Sequence, residues 1–458
     1  MIERFYKHMP LFAQNCAISL KGLEFELFRI NKKTTLNYYN FLKISEKWSL
    51  DQIYSFQLNS LNKVLTDAYK YVPYYRKLKI NGIYIECLKN LDDLCHLPIL
   101  EKSKVKLSPY DFLDERFKNK IRVGFTSGST GSPMMYFNTT EIFSKRWAFE
   151  LRLRDWAGLK EIYHPKRAHF TGKNIFDKKN FYRYNTTQNT LHLSSDFISE
   201  ETAIQYAEIL CDFNPEFIDS YPSCLQVLAS ICLLKNIQLP CPTAIRVSGE
   251  NLEESKRILI EKAFNTKVYN QYGSRETTAF FSTNSFGDFV IHPEFSLIEF
   301  SDSFNQNGLE KEIISSPLFE NNCMPLLRYR TGDLCLSNNN EINSSDQNNK
   351  FKVINDLSGR IEDTIFVEGI GYIQRLSTCF YGINSIIEGQ LILVKQNEML
   401  ANIVVNSGFD SSDLEHLKFN LETKLSNLVN VKVVVVDYIP RGSNGKFKFL
   451  VNTLKNHV

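Results

Sequence analysis

The stretch of sequence that decides the fold is a segment rich in glycine and hydroxyl groups, Thr126-Ser127-Gly128-Ser129-Thr130-Gly131-Ser132-Pro133. It follows the apolar run Val123-Gly124-Phe125, which predicts a short strand, and precedes a predicted helix from Thr139 to Ala157. Glycines let a backbone approach a phosphate closely, and amides and hydroxyls supply donors without bulk. The segment is neither a Walker loop nor a Rossmann fingerprint, and on its own it is also compatible with an ordinary turn.

A second motif lies further along the chain and reads Tyr269-Asn270-Gln271-Tyr272-Gly273-Ser274-Arg275-Glu276. Tyr272 is suited to cover the face of an adenine ring, and Gly273 allows close approach of the backbone. Glu276 is suited to hold a magnesium ion among phosphates, because Mg²⁺ is bound through a few carboxylates and substrate oxygens. The motif is therefore a candidate nucleotide site.

Two further motifs follow in order, Arg328-Tyr329-Arg330-Thr331-Gly332-Asp333 and Pro440-Arg441-Gly442-Ser443-Asn444-Gly445-Lys446. The carboxylate of Asp333 suits two adjacent ribose hydroxyls, which need a charged double acceptor. Lys446 lies in a glycine-containing loop near the end of the chain. Each motif alone is equally compatible with a surface turn, an ion pair or a solvated lysine.

Together the motifs resemble the adenylate-forming superfamily of acyl-CoA synthetases, adenylation domains and luciferases. The resemblance runs from about Gly124 to Lys446 and includes Gly359-Arg360-Ile361-Glu362-Asp363, which is similar to the hinge motif of that family. Within the superfamily the sequence resembles the phenylacetate–CoA ligase-like branch found in capsule and surface-polysaccharide loci. The stretches that carry this finer resemblance are residues 272–276, Asp219-Ser220-Tyr221-Pro222-Ser223, Ala68-Tyr69, Val72-Pro73-Tyr74-Tyr75 and Leu97-Pro98-Ile99-Leu100.

The resemblance implies a reaction in two steps. A small carboxylic acid attacks the α-phosphate of ATP–Mg²⁺ to give an acyl-adenylate and pyrophosphate, and a nucleophile then displaces AMP. The attacking carboxylate is already an anion, so no general base is needed. The barrier lies in bringing an anion onto a polyanion, which positioned cations and amides relieve.

The resemblance also implies a role for each motif. Thr126, Ser127, Gly128, Ser129, Thr130 and Gly131 cradle the β- and γ-phosphates, and the adenine slot is formed by Ser248, Gly249, Glu250, Asn270, Gln271, Tyr272 and Gly273. The remaining roles are Glu276 for Mg²⁺, Asp333 for the ribose, Arg360 for the nucleotide, Glu362 for the hinge and Lys446 for bridging acyl and phosphate oxygens. Glu276 and Lys446 are the predicted catalytic residues.

The acyl pocket is less defined by the sequence. By the same resemblance Tyr221, Ser223 and Ser248 face it, together with residues between His169 and Asn174. This mixture permits an aromatic acid, an amino acid or a sugar acid. The acceptor is coenzyme A by family default, whereas relatives in capsule loci transfer to an amine, so that an amino sugar or an amino acid also stays open.

Two positions depart from the pattern of the family. Glu362 stands where many relatives carry aspartate, which keeps the charge on a longer side chain. Some phenylacetate–CoA ligase-like proteins carry a zinc-binding cysteine and histidine cluster after the glutamate motif. The matching stretch, Phe280 to His292, has no cysteine and one histidine. We therefore predict that His292 is structural and that no zinc is bound.

Length and composition set the outer bounds. The chain has 458 residues, a net charge of +3 and 23% charged residues, which is too balanced for nucleic-acid binding and too ordinary for disorder. No apolar run reaches the roughly 18 residues of a membrane helix. We predict an α/β fold with a large adenylate-forming domain of layered sheets and helices over 1–359, helical over 1–110. A small, mobile α+β lid domain is predicted over 360–458.

The cellular location is predicted to be the cytoplasm. The ten cysteines form no Cys-x-x-Cys pair and lie mostly in apolar runs, as expected of reduced residues. The stretch from Pro10 to Leu20 is apolar, but it contains Gln14 and Asn15 and runs into Lys21, so a secretory signal is disfavoured.

Local patterns predict several elements. Ser49 caps a helix that ends at Val72-Pro73, and Ser412 caps a second helix near the end of the chain. Strands are predicted at Ala244 to Val247, Val268 to Tyr269, Leu391 to Val394 and Ala401 to Val405, with a buried strand at Val431 to Val436. The stretch from Ser337 to Lys350, dominated by asparagine and serine, is predicted to be an exposed loop.

Two function classes remain open from the sequence. The first is an active AMP-forming ligase, and the second is an inactive nucleotide-binding scaffold in a polysaccharide-assembly complex. The joint presence of Glu276, Asp333 and Lys446 favours the ligase, since a scaffold needs none of them together.

Overall fold

The computed structural model describes residues 6, 9–126, 133–172, 175–301, 310–336, 351–360, 365–368, 371–373, 376–383, 385–442 and 445–454. The chain divides into two compact units. The first unit contains Met1–Leu20, His164–Val268 and Gly359–Val458, and the second contains Lys21–Tyr163 and Tyr269–Ser358. The predicted boundary between a large and a small domain at residue 359 stays a prediction, although the last segment of the first unit begins at that residue.

The helices are, in chain order, α1 (Leu11–Glu24), α2 (Lys32–Ser45), α3 (Leu50–Tyr71), α4 (Pro73–Ile80), α5 (Lys102–Leu107), α6 (Thr140–Trp156), α7 (Ala203–Phe213), α8 (Pro222–Leu234), α9 (Glu254–Phe264) and α10 (Ser411–Lys424). A π-helical turn, Phe25–Arg29, continues α1. Short 3₁₀ turns lie at Leu91–His96, Pro109–Phe112, Glu115–Phe117 and Leu376–Phe380.

The strands are, in chain order, β1 (Arg122–Phe125), β2 (Met135–Asn138), β3 (Arg167–Thr171), β4 (Tyr182–Asn185), β5 (Thr190–Ser194), β6 (Phe217–Ser220), β7 (Ala244–Ser248), β8 (Val268–Gly273), β9 (Phe280–Thr283), β10 (Phe289–Ile291), β11 (Ser296–Phe300), β12 (Glu310–Pro317), β13 (Tyr329–Leu336), β14 (Asp356–Arg360), β15 (Ile365–Val367), β16 (Gly371–Ile373), β17 (Ile386–Lys395), β18 (Glu398–Val405), β19 (Asn430–Val435) and β20 (Leu450–Asn452).

The best-predicted helix is α3. The hydroxyl of Ser49 accepts from the amide of Gln52, whose side chain in turn accepts from the Ser49 amide, so a full capping box starts the helix. Val72 is extended and Pro73 opens α4, which ends α3 as predicted. The buried stripe of α3 joins the main core of the second unit, whose members include Leu61, Leu65, Ala68, Tyr75, Leu97, Phe112, Phe137, Leu326 and Tyr329.

The first unit is built on strands β3 to β7, in the spatial order β7-β6-β3-β5-β4. Strands β7, β6, β3 and β5 run parallel, and β4 runs antiparallel to β5. Their apolar face packs with α7, α8 and α9 in a buried core that includes Ala168, Phe170, Leu193, Ile218, Leu228, Ile245 and Val247. Arg167 and His169 alternate with Ala168 and Phe170 on β3, so the opposite face of these strands is polar.

The C-terminal part of the first unit forms a four-stranded sheet, in the order β19-β18-β17-β20, against α10. Its core includes Leu391, Ala401, Ile403, Leu417 and Leu421. The predicted strands at 391–394 and 401–405 are confirmed as parts of β17 and β18.

Two predictions in this part are wrong. The cap of α10 is Asp410, because its carboxylate accepts from the amides of Ser412 and Asp413, and Ser412 lies inside the helix. The predicted buried strand at 431–436 is β19, an edge strand whose residues are largely exposed or half-buried because only one neighbour covers it.

The strand pairs within the second unit are antiparallel. Strand β9 pairs with β8 on one side and with β10 on the other, β11 pairs with β12 and β12 with β13, and β1 pairs with β2. The predicted strand at Val123-Gly124-Phe125 and the predicted helix after it are confirmed as β1 and α6. Residues 337–350, predicted to be an exposed loop, lie outside the described residues. Within the described ranges, every helix is too short or too polar to cross a membrane.

Candidate active site

The first-unit sheet presents an edge suited to ligand binding. Because β3, β5, β6 and β7 are parallel, their carboxyl ends lie at one edge of the sheet. The chain leaves this edge at four small or polar residues, and we call Gly172, Ser195, Tyr221 and Gly249 the carboxyl edge. Open α/β sheets bind ligands outside such edges.

The loop that carries Lys446 lies against the carboxyl edge. A Cβ atom at Gly445 would come 2.3 Å from Cα of Gly172 and 2.9 Å from Oγ of Ser195. Gly445 also has a φ of +75°, a conformation that side chains rarely adopt. Only glycine therefore fits between the loop and the ends of β3 and β5.

The Lys446 side chain extends over Gly249. A Cβ atom at Gly249 would lie 3.0 Å from both Cε and Nζ of Lys446 and 3.3 Å from Cε1 of Tyr221. Gly249 has a φ of +84°, so the position favours glycine on both counts. Three residues predicted from separate motifs, Lys446, Gly249 and Tyr221, are thus brought together within the first unit.

Glu250 links the same loop to helix α8. Its Oε1 accepts from the backbone amide of Phe447 at 2.7 Å, and its Oε2 accepts from the backbone amide of Ser223 at 3.0 Å. Ser223 is the second residue of α8, where the helix has amides without helical partners, so a carboxylate is favourable there. We call this arrangement the Glu250 latch. The predicted role of Glu250 in an adenine slot stays a prediction.

Arg441 adds a second connection between the C-terminal loop and α8. Its guanidinium forms an ion pair of 2.5 Å with Glu388 of β17 and donates to Oγ of Ser223 at 3.3 Å. Burial raises the pKa of Glu388, which Arg441 only partly offsets. Ser223, predicted to face the acyl pocket, therefore contacts the C-terminal loop through both its amide and its hydroxyl.

A row of ionisable side chains crosses the polar face of the sheet just below the carboxyl edge. His192, His169, Asp219 and Arg246 are register partners on adjacent strands. Nδ1 of His169 lies 3.1 Å from Oδ2 of Asp219, and Arg246 approaches Oδ1 at 2.6 Å. Burial alone would raise the pKa of Asp219, but Arg246, His169 and Arg167 hold it well below its usual value. We call His192, His169, Asp219 and Arg246 the edge row.

The predicted nucleotide motifs of the second unit are joined by one hydrogen bond. Tyr272, near the end of β8, donates through its hydroxyl to Oδ2 of Asp333 on β13 at 2.7 Å. The Tyr272 ring also packs on Phe281, with 5.0 Å between centroids. Asn270 and Gln271 are buried. The backbone amide of Asn270 donates to the Thr283 hydroxyl, and the side-chain amide of Gln271 donates to the Glu150 carboxylate.

Glu276 sits in a tight turn between β8 and β9. Its Oε1 accepts from the hydroxyl of Tyr329 at 3.3 Å. The next residue, Thr277, is buried with a φ of +60°, which is strained for a β-branched side chain. Its hydroxyl accepts from Nδ2 of Asn138 at 3.0 Å, and this contact helps to hold the turn in place. Backbone strain of this kind concentrates at functional sites.

The stem of the predicted phosphate loop is described, but not its tip. The Thr126 amide donates to the Met134 carbonyl at 2.9 Å, and the Met134 amide donates to the Thr126 hydroxyl at 3.0 Å. Ser127, Gly128, Ser129, Thr130 and Gly131 lie outside the described residues, and so does the predicted hinge residue Glu362. Arg360 ends β14 in the first unit.

The residues present fit a magnesium ion held jointly with a nucleotide. Among the described residues, no group of three or more histidines, cysteines, aspartates or glutamates is arranged to hold a metal by itself. Mg²⁺ typically takes one or two carboxylates and completes its shell with phosphates and water. Glu276 would supply such a carboxylate, and the ion would neutralise phosphate charge.

His292 is a buried residue of the second unit. Nη1 of Arg152 donates to its Nδ1 at 3.0 Å, so its Nε2–H donates to Oγ of Ser282 at 2.8 Å. Burial and the nearby Arg152 hold the pKa of His292 well below its usual value. These contacts agree with the predicted structural role, and the absence of zinc stays a prediction.

Sequence reasoning missed two parts of the site. The edge row depends on the register of strands far apart in the chain, and its only local signal is the alternation of Arg167, Ala168, His169 and Phe170. The Glu250 latch joins Glu250 to Phe447, 197 positions away, through the backbone amide of Phe447. Because the donor is a backbone amide, the residue type at position 447 gives no signal for it.

Comparison with known proteins gives both sequence and structural relatives. Residues 368–453 match the family described as the CapK C-terminal domain. The chain is 27% identical to Protein CapK of Staphylococcus aureus over 474 aligned positions, covering 99% of this chain and 100% of that protein. A phenylacetate-coenzyme A ligase of Aromatoleum evansii is 33% identical over 90 residues, or 19% of this chain and 20% of the ligase.

The structural relatives are CoA ligases. The crystal structure of 2-hydroxyisobutyryl-CoA ligase in the postadenylation state matches with a TM-score of 0.68 at 16% identity, covering 89% of this chain and 91% of that one. The thioesterification state of the same ligase, with 2-HIB-AMP and CoA, matches with a TM-score of 0.55. The predicted α/β fold and the resemblance to adenylate-forming ligases are confirmed. The small C-terminal domain corresponds to the matched family segment.

Proposed function

We propose that this chain is an AMP-forming carboxylate ligase that activates a small carboxylic acid with ATP and transfers the acyl group to an acceptor. The observation that carries the proposal is the position of Lys446 over Gly249, with the adjacent Phe447 amide held by Glu250. A lysine placed at the carboxyl edge of a parallel sheet is suited to bridge two anionic reactants. The fold of the CoA ligases supports the same reaction class.

Each proposed role follows from the chemistry of the residue. The Lys446 ammonium offsets negative charge as the carboxylate approaches the α-phosphate. Asp333 accepts from the ribose hydroxyls, and Tyr272, which donates to it, fixes its orientation. Glu276 would hold Mg²⁺, which would offset phosphate charge, and the role predicted for residues 126–131 is to contact the outer phosphates. No residue has to remove a proton, because the attacking acid is already ionised at neutral pH.

The edge row favours a polar acyl substrate. It lies one or two residues before the strand ends that lead into Gly172, Tyr221 and Gly249, on the face opposite the apolar core. An entirely apolar acid placed there would cover the His169 side chain, which is 30% exposed, without replacing its contacts with water, which is costly. We therefore favour a hydroxylated or acidic carboxylic acid, such as a sugar acid, over an unsubstituted aromatic one.

The acceptor and the pathway are proposed more broadly. Coenzyme A is the leading acceptor, since the similar ligases carry it in their names. An amino sugar or an amino acid is the second possibility. The similarity to Protein CapK supports a role in capsular or surface-polysaccharide biosynthesis. The proposed location is the cytoplasm, in keeping with the prediction from the cysteines. The competing proposal is an inactive nucleotide-binding scaffold.

ATP–pyrophosphate exchange across a panel of carboxylic acids tests the proposal. The panel should contain sugar acids, hydroxy acids, amino acids and aromatic acids, with substrate-free enzyme as the blank. Exchange above the blank with at least one polar acid is expected. Tight ATP binding without exchange for any acid would favour the scaffold, whereas exchange only with unsubstituted aromatic acids would refute the assignment of substrate class. Mass spectrometry after adding coenzyme A or an amine then identifies the acceptor.

The ribose assignment has its own test. Asp333→Ala should weaken ATP binding by roughly ten- to a hundredfold, because a hydrogen bond to a charged group contributes about 1.5–3 kcal/mol. Calorimetric titration with ATP measures the effect. Asp288→Ala, which removes a carboxylate from the same unit outside the motifs, is the matched control. Equal affinity in the two variants would remove Asp333 from the ribose site.

A further inference from the structure

The turn between β8 and β9 presents two neighbouring side chains of opposite charge, Arg275 and Glu276. Nη1 of Arg275 donates to the carbonyl of Phe125, the last residue of β1, at 3.2 Å. Oε1 of Glu276 accepts from the Tyr329 hydroxyl, which also lies 3.8 Å from Sδ of Met134. Phe125 and Met134 come directly before and after residues 126–133, and all five residues belong to the second unit. The cation therefore contacts one end of this segment, and the carboxylate is connected to the other.

Bonds that do not involve Arg275 hold this turn in place. The Ser274 hydroxyl accepts from the backbone amide of Thr278 at 2.8 Å. Nδ2 of Asn138, the last residue of β2, donates to the Thr277 hydroxyl at 3.0 Å. The Arg275 side chain is exposed, and its one hydrogen bond among the described residues goes to a backbone carbonyl. The turn therefore places Arg275 without depending on its side chain.

Arg275 pairs with no carboxylate in the part of the chain that the structure describes, whereas other arginines of the second unit do. Arg328 pairs with Glu299 at 2.9 Å, and Arg330 pairs with Glu312 at 3.1 Å. A guanidinium has five N–H donors in a planar fork that matches phosphate oxygens, and the bond of Arg275 to a carbonyl uses one of them. Its charge and its other donors can therefore serve an anionic ligand.

We propose that Arg275 binds the pyrophosphate part of ATP and stabilises it as it leaves. The proposal rests on the proposed ligase function and adds a residue to which the sequence motifs gave no role. The adjacent carboxylate of Glu276 would repel a bare anion. A phosphate chain that arrives with Mg²⁺ suits both neighbours, because the carboxylate would contact the ion and the guanidinium would contact phosphate oxygens.

The role of Arg275 follows from where negative charge moves in the first half-reaction. A carboxylate oxygen of the acid forms a bond to the α-phosphorus, and the bond from that phosphorus to the oxygen that leads to the β-phosphate breaks. The electron pair of the broken bond goes to that oxygen, so the departing pyrophosphate gains one negative charge. A guanidinium beside the pyrophosphate offsets this charge, whereas it has no contact with the AMP part.

Calorimetric titration of the full chain with ATP, inorganic pyrophosphate and AMP, each with Mg²⁺, tests the proposal. Arg275→Met removes the charge, and Arg275→Lys keeps the charge without the planar fork. The matched control is Arg76→Met, because the Arg76 side chain is 41% exposed and pairs with Glu115 in the same unit, outside the motifs. Thermal unfolding checks that every variant is folded.

Arg275→Met should weaken the binding of ATP and of pyrophosphate by roughly ten- to a hundredfold, the scale of a charge-assisted hydrogen bond, and should change the affinity for AMP by less than about twofold. Arg275→Lys should lose less affinity than Arg275→Met, and Arg76→Met should bind all three ligands as the wild type does. In ATP–pyrophosphate exchange, the KM of Arg275→Met for pyrophosphate should rise by a similar factor, while acyl transfer from supplied acyl-adenylate stays near the normal rate.

The proposal is overturned if Arg275→Met binds ATP and pyrophosphate as tightly as Arg76→Met does. It is also overturned if the affinity for AMP falls by the same factor as the affinity for ATP, since that result would assign Arg275 to the structure of the turn. Unchanged affinities in Arg275→Met alongside normal exchange by the wild type would refute this inference alone. A selective loss of ATP and pyrophosphate binding, in a protein that shows no exchange with any acid, would support the binding role and refute the ligase function.

Discussion

Among the residues that the structure describes, histidine, arginine and carboxylate meet once in each compact unit, and the two places are built differently. In the second unit Arg152, His292 and Glu294 form a sealed network, in which the Arg152 side chain has no exposure and Glu294 is 1% exposed. In the first unit the edge row contains His169, Asp219 and Arg246, and the His169 side chain is 30% exposed. Residue type is the same in both places, while access to solvent differs.

The partners of the carboxylates differ as well. Glu294 accepts from Arg152 at 2.8 Å and from the hydroxyl of Ser45, both within one packed core. Glu250, at the carboxyl edge of the other unit, accepts from the backbone amides of two separate segments, Ser223 and Phe447. The comparison teaches that a carboxylate bonded to fixed core side chains stabilises the fold. A carboxylate that joins two segments at a sheet edge is instead placed to control a loop.

The sharpest way to break this comparison is to delete the sealed carboxylate. Glu294→Ala should lower the free energy of unfolding by about 3 kcal/mol, because it removes the fully buried carboxylate partner of Arg152 and leaves that charge paired only with the less buried Glu46, at 3.2 Å. Denaturant unfolding measures the loss. Glu320→Ala is the matched control, since its carboxylate pairs with Lys63 at 2.7 Å on the surface and should cost less than about 1 kcal/mol. Equal losses in the two variants would show that the network is not sealed.

Removing the Lys446 side chain should have the opposite effect, a large loss of activity with little loss of stability. Lys446→Ala should slow ATP–pyrophosphate exchange by about 10²–10³-fold, the scale for losing one electrostatic donor in a transition state, and leave unfolding nearly unchanged. Transfer from a chemically supplied acyl-adenylate should continue near the normal rate. Lys432→Ala, an exposed lysine on β19, is the control. If Lys446→Ala slows both half-reactions equally, the lysine is part of a static site.

The Glu250 latch gives a smaller and more specific prediction. Glu250→Gln should slow pyrophosphate exchange by about ten- to a hundredfold, because a charge-assisted hydrogen bond contributes about 1.5–3 kcal/mol to holding the Lys446 loop. Acyl transfer from supplied adenylate should be affected less than threefold. Glu254→Gln is the control, since the Glu254 carboxylate is exposed and pairs with Arg257. A uniform loss in both half-reactions would reduce Glu250 to a structural role.

The smallest expected effect is the pH dependence of the free energy of unfolding that comes from His292. His292 stays neutral in the folded chain because burial and Arg152 depress its pKa, whereas in the unfolded chain it is protonated below about pH 6.5. The unfolded chain then binds one more proton, so the free energy of unfolding should fall by up to about 1.4 kcal/mol per pH unit below pH 6.5. The pKa of Asp219 is lower in the folded chain than in the unfolded chain, so its ionised carboxylate stabilises the fold at pH values above the pKa of the unfolded chain. This stabilisation is lost only as the pH falls through the lower pKa of the folded chain.

Denaturant unfolding at several pH values between 7 and 5 measures this slope in the wild type and in His292→Asn. The variant should show a slope that is shallower by about one proton, whatever its absolute stability. Identical slopes for the wild type and His292→Asn would mean that His292 is protonated in the folded chain.

Local sequence accounts for much of the fold because local chemistry fixes it. Ser49 and Gln52 predict the start of α3, and Pro73 predicts its end. The cap of α10 shows the limit of such reasoning, since Asp410 and Ser412 are both acceptable caps by type and the geometry selects the carboxylate that reaches two amides.

Non-local contacts explain what the sequence could not predict. The motifs identified Lys446, Tyr272 and Asp333 as candidate site residues. They did not predict that Tyr272 bonds to Asp333 or that Lys446 lies on Gly249. The edge row depends on the pairing of β5, β3, β6 and β7, and pairing register is fixed by packing and not by the residues of one strand.

The chemistry of the Glu250 latch bears on how this site can drift through evolution. Both donors are main-chain amides, which every residue except proline supplies. The latch therefore tolerates any residue except proline at positions 223 and 447, whereas it requires the glutamate at position 250. Relatives that contain the Glu250 latch need not share the residues at positions 223 and 447. A comparison of their sequences would then show an invariant glutamate at position 250 and no invariant residue at the positions that it contacts.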